Sequence, residues 1–197
     1  MKRLCQFTAI LGIFAVSFAT ASVYGAVSQD KFTVYSAGRA GKDAAKGTDL
    51  YVWEKTCVLM EKKDKKTGYY RCTYYMVQDW FGFGYVVLPV DTTKNMSGYA
   101  GGSVNFWMRS TFDLNKYLNI GIKSGNNAAW VGNIAGYGFV NDGRWCRISI
   151  PVKDFIAAGG DSFDLNGINH YFMVKGSGEG MPYLLTFDFC EIYWSRK

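Results

Sequence analysis

Residues 103–155 contain three short runs in which apolar side chains fall two apart: SVNFWMRS, LNIGIKSG and RWCRISIP. Gly, Asn and Asp separate them. A period of two is the signature of a strand with one face buried. It places Val104, Phe106 and Met108 on a core face, with Leu118, Ile120 and Ile122 and with Cys146, Ile148 and Ile150. Asn105, Trp107, Arg109, Asn119, Lys123, Trp145, Arg147 and Ser149 fall on the other face. A core accounts for the first set but not for two tryptophans beside two arginines in the second. An aromatic ring next to hydrogen-bonding groups stacks on the apolar C–H face of a pyranose while its neighbours hold the hydroxyls.

The rest of the chain extends the pattern. Glycine is frequent (23 residues), proline scarce (3) and aromatic content high (17%), in a chain of 197 residues, enough for one domain with a substantial core. About nine short strands and no helix of any length are expected, with at most a helical turn over residues 156–160. The fold class is therefore all-β, a two-sheet antiparallel sandwich. Residues 31–35 read as the first strand, residues 36–48 as a loop, and residues 49–60 and 69–78 as the arms of a hairpin around EKKDKKTG. The stretch DWFGFG, residues 79–84, reads as a turn.

Residues 1–21 have the form of a secretory signal. Lys2 and Arg3 precede a short apolar run, and Ala19-Thr20-Ala21 offers a small-x-small cleavage site. Residues 22–197 would then be a single exported domain with no membrane span. The net charge of +6 falls to +4 once Lys2 and Arg3 are subtracted, too little and too scattered to indicate nucleic acid. Four of the five cysteines follow the leader: Cys57, Cys72, Cys146 and Cys190. An even number in an exported chain suggests two bridges. Facing Cys57 with Cys72 across the hairpin pairs Glu61 with Gly68 and leaves Cys146 for Cys190, where two buried free thiols are the alternative.

Catalytic patterns are missing. The single histidine, His170, sits in a strand run without a G-x-S-x-G elbow. No compact E-x-D-x-x-E supplies a glycosidase pair, and no C-x-x-C suggests zinc.

Taken with these residues, YAGGSVNFW (99–107), LNIGI (118–122), YGFVNDGRW (137–145), IPVKDF (150–155) and DFCEIYW (188–194) resemble the galactose-binding-like, jelly-roll carbohydrate-binding modules that accompany secreted polysaccharide-degrading enzymes. The resemblance covers residue 31 to the C-terminus. It implies a non-catalytic polysaccharide binder, working alone or docked in a larger extracellular complex. No cofactor is required. It also implies a structural calcium near the first and last strands, with Asp188 and Glu191 as candidate ligands; the first strand departs from that pattern, offering only Asp30. The expected ligand-binding set is Trp53, Trp107, Arg109, Trp145, Tyr171 and Lys175 on one sheet face, with the loops around Trp80 and Trp130 next in line. Two other functions fit the same residues: an adhesive matrix protein with a flat apolar patch, and a glycan-active enzyme with two carboxylates across a cleft.

Overall fold

The computed structural model describes residues 30–36, 47–64, 67–75 and 78–197. The expected leader, residues 1–21, lies outside the described residues. Among the described residues, eleven strands form two antiparallel sheets. Sheet A has the order β3 (Val58–Asp64), β4 (Thr67–Tyr75), β11 (Leu184–Ser195), β6 (Ser103–Arg109) and β9 (Cys146–Pro151). β1 (Lys31–Tyr35) pairs with the second half of β11, beyond the part taken by β4. Sheet B has the order β2 (Thr48–Val52), β5 (Trp80–Val87), β10 (Ile168–Ser177), β7 (Leu118–Ser124) and β8 (Asn127–Val131).

The core lies between the sheets and is filled as the alternation requires. Val104, Phe106, Met108, Ile120, Ile122, Ile148 and Ile150 are fully buried. Aromatic pairs lock one sheet to the other. Phe83 of sheet B stacks on Phe189 of sheet A at 5.1 Å, and Phe106 of sheet A meets Phe172 of sheet B edge-on at 5.0 Å. Such pairs add roughly 1 kcal/mol each beyond the area they bury.

Several expectations are corrected. The stretch over residues 49–60 is two strands. Glu54 and Lys55 take positive φ (49° and 55°) in a 3-10 turn at Trp53–Lys55, and the chain passes there from sheet B to sheet A. The hairpin register is offset by two residues, with Glu61 opposite Tyr70 and Leu59 opposite Cys72. DWFGFG is not a turn but the entry to β5, with Phe81 and Phe83 wholly buried. An α-helix, α1 (Val152–Gly159), follows β9, and Val152 and Phe155 anchor it in the core.

Register irregularities in β1, β10 and β11 break the strict alternation. In β11 the register slips one residue between Cys190 and Tyr193, and Glu191 takes φ 50°. The extra residue reverses which side chains point inward. Phe187 and Phe189 face the core before it, Ile192 and Trp194 after it, all at most 2% exposed. In β10 the register slips between His170 and Phe172. Tyr171 at that slip is buried against Phe32, and its carbonyl accepts the Trp194 indole N–H.

The four later cysteines are free thiols in the structure. Cys72 hydrogen-bonds to its neighbour Cys57, and burial first, then that partner, raises its thiol well above the usual range. The expected Cys146–Cys190 bridge is ruled out by register. Cys146 lies opposite core-facing Met108, and Cys190 opposite outward-facing Trp107. The two point to opposite faces with β6 between them. Two strand spacings are about 9–10 Å, beyond the reach of a disulfide.

Candidate functional site

The six expected ligand residues do not share a face. Trp107, Arg109 and Trp145 lie on the outer face of sheet A, where cross-strand pairing sets Trp107 beside Arg147 and Cys190, and Arg109 beside Asp188. Trp53 and Lys175 lie on the outer face of sheet B, across the sandwich. Tyr171 belongs to neither, being 4% exposed at the β10 bulge. Sequence alternation says neither which sheet a strand joins nor where a bulge interrupts it.

On sheet A the polar and aromatic groups satisfy one another. The buried Asp188 carboxylate accepts Arg71 Nε at 2.7 Å and Nη2 at 3.0 Å, and Arg109 Nε at 2.8 Å. Arg109 in turn lies 4.9 Å from the Tyr69 ring and 4.6 Å from that of Trp145, which meet edge-to-face at 5.7 Å. Burial alone would weaken the Arg109 charge, but its hydrogen bond and attraction to Asp188 prevail and raise its pKa. Tyr69 is only 8% exposed beneath this stack. The guanidinium lies over the Tyr69 and Trp145 rings, and Trp107 is half-buried on the same face. Nor do these residues fit a calcium ion: Asp188 already receives three N–H bonds from two cations, and Glu191 sits in the bulge rather than beside it on the face. Among the described residues, no group of three or more His, Cys, Asp or Glu could hold a metal ion.

Sheet B presents a different surface. Its outer face carries Tyr51, Trp53, Trp80 and Trp130, with Asn119, Lys123, His170 and Lys175 among them. Tyr51 is 57% exposed and the three tryptophans are half-buried. The central strands supply glycine at Gly82, Gly84 and Gly121. A Cβ on Gly82 would collide with the Trp53 ring, and one on Gly121 with the Trp130 ring. The two indoles therefore settle onto bare backbone from the two edges of the sheet and meet at 6.2 Å, nearly perpendicular (83°). Met173, which shares a row with Gly84 and Gly121, is 2% exposed although it faces outward. At one end of this face an open depression of about 420 Å³ is lined by Asp79, Trp80, Lys175, Ser177, Gly178 and Glu179.

Tyr51 and the glycine floor escaped sequence reading. The signal was present as F-G-F-G, because glycine at every second position of a strand marks close approach by another group.

No family model and no curated protein sequence matches the chain. Solved structures do match. The family 30 carbohydrate-binding module of a cellulosomal cellulase from Clostridium thermocellum superimposes with a TM-score of 0.61 at 13% identity, over 85% of this chain and 98% of that one. The fold is that of the family 30 carbohydrate-binding modules. The extra C-terminal domain of an exo-1,3/1,4-β-glucanase from a Pseudoalteromonas species matches at TM-score 0.52 and 10% identity, over 86% of this chain and 88% of that domain. A β-1,2-glucanase from Parabacteroides distasonis matches at 0.54 and 12%, over 84% of this chain but only 25% of its own length.

Proposed function

We propose that this chain is an exported, non-catalytic carbohydrate-binding module that holds a polysaccharide on the outer face of sheet B. The observation that carries the reading is the set of aromatic rings resting on glycines 82 and 121, beside exposed Tyr51 and the donors Lys175 and Asn119. A half-exposed ring held rigid by its floor offers stacking area at little entropic cost, and adjacent polar groups fix the hydroxyls. The outer face of sheet A supports the reading by contrast, because Arg109 already lies over its Tyr69 and Trp145 rings and is itself paired with Asp188. The fold shared with carbohydrate-binding modules agrees with a binding role.

The test is titration of soluble polysaccharides against the wild type, Trp130→Ala and Trp107→Ala, with folding checked by circular dichroism. Trp130→Ala should weaken binding by about 1–3 kcal/mol, the worth of one stacking platform. Trp107→Ala should leave it unchanged. The reverse order would move the site to sheet A. An activity screen on the same polysaccharides checks the non-catalytic role, since Asp79 and Glu179 are the two carboxylates that line the depression. Product release that is lost in Asp79→Asn or Glu179→Gln would make the protein an enzyme.

A further inference from the structure

Trp53 and Trp130 differ in how they rest on their glycines. Three atoms of the Trp130 six-membered ring lie 2.6, 2.8 and 3.0 Å from where a Gly121 Cβ would stand, as for a ring lying face-down. Against Gly82 only Cε3 and Cζ3 of Trp53 come close, and the next atom is the Val174 carbonyl oxygen at 3.3 Å. That is a ring standing on its edge. The 83° between the two planes agrees with this reading. Trp130 is a floor parallel to the sheet, and Trp53 is a wall beside it. Their centroids, 6.2 Å apart, leave no room for a sugar to slip between them without touching both.

A flat ribbon-like chain, such as a β-1,4-linked glucan, presents successive rings in nearly one plane. It can stack on Trp130 but meets Trp53 only at its edge. A chain whose successive pyranoses are turned against one another can stack one ring on the floor and the next on the wall. Resting on the glycan-binding reading above, we propose that this site selects turned chains, of which a β-1,3-linked glucan is the simplest, over flat β-1,4-linked ones. Asn119 and Lys175 occupy the row between Gly82 and the β8 edge, where they reach hydroxyls of the ring on the floor.

The experiment is calorimetric titration of the full exported chain with β-1,3-linked and β-1,4-linked glucohexaoses, for wild type, Trp53→Ala and Trp130→Ala. The β-1,3 hexaose should bind at least about tenfold tighter than the β-1,4 hexaose. Trp53→Ala and Trp130→Ala should each weaken the β-1,3 hexaose by about tenfold or more, roughly the worth of one stacking contact. Only Trp130→Ala should affect the β-1,4 hexaose. Equal or tighter binding of the β-1,4 hexaose, still dependent on Trp130, overturns the selectivity and leaves the binding function standing. Binding of neither hexaose, or binding indifferent to both substitutions, removes both. Should Trp53→Ala fail to fold, intermolecular NOEs on the wild type decide. Successive sugars of the β-1,3 hexaose should contact different indoles, and contacts from both sugars to Trp130 alone would overturn the proposal.

Discussion

His170 lies on the outer face of sheet B, its Cδ2 3.6 Å from where a Gly84 Cβ would stand and its Nδ1 3.2 Å from Asn169 Oδ1. Burial first, and nearby Lys123 second, lower its pKa from 6.5 to about 4. The native state thus resists protonation that the unfolded chain accepts. With more protons bound in the unfolded state, stability falls as pH drops from about 6.5 to about 4 and changes no further from this group below that. His170→Gln removes the titration. Thermal melts of the two proteins should converge towards pH 4 if the variant is less stable near neutrality, and the melting temperature of the variant should slope less between these limits. Parallel slopes would show that His170 titrates normally.

The 3-10 turn at Trp53–Lys55 is the element on which the proposed site depends, because it passes the chain between sheets and sets Trp53 over Gly82. Thr56 secures it: its hydroxyl donates to the Trp53 carbonyl at 2.9 Å and accepts the Gly82 N–H at 3.0 Å. Cys57 follows at once, against Cys72 of β4. In an oxidising compartment a disulfide-exchange partner would join these two thiols and tie the turn to sheet A. Non-reducing peptide mapping of exported protein should find Cys57 linked to Cys72, with Cys146 and Cys190 free. A bridge closing a loop of this size contributes about 3 kcal/mol, so reduction should lower the denaturant midpoint without shifting glycan affinity. Recovery of a Cys146–Cys190 peptide would contradict the strand order.

At the scale of the molecule the two outer faces differ. Sheet A closes over a two-arginine clasp on Asp188 and the Tyr69–Trp145 pair, while sheet B leaves rings partly open on a glycine floor. Trp145→Ala should therefore cost stability, about 1–3 kcal/mol for a half-buried ring in an aromatic and cation–π cluster, and leave polysaccharide affinity within about twofold. Loss of affinity in a folded Trp145→Ala protein would return the binding role to sheet A. Aromatic core contacts are among those that join the two sheets, and truncating Phe106 or Phe189 would loosen both faces together.

The β-sandwich class was legible in the chain, because burial on one side of a strand writes a period of two that local sequence displays. So were the core residues of β6 and β7 and, in β9, Ile148 and Ile150, whereas Cys146 is only partly buried. Trp107, Arg109 and Trp145 do share a face, as their parity required. Partnership between distant strands is not written locally. Whether Trp53 joins the face of Trp107 or the opposite one depends on a sheet crossover made by two residues at positive φ, Glu54 and Lys55, neither of which is glycine. The bulges at Glu191 and between His170 and Phe172 each add one residue, which inverts parity and takes Tyr171 off the surface. Asp188 became an arginine clasp rather than an ion ligand only when β4, β11 and β6 came into register. The sequence carried the alternation, since each residue's burial is felt by its own strand. The proposed site belongs to tertiary structure, since Trp53 and Trp130 are 77 positions apart and meet only after five strands are laid side by side.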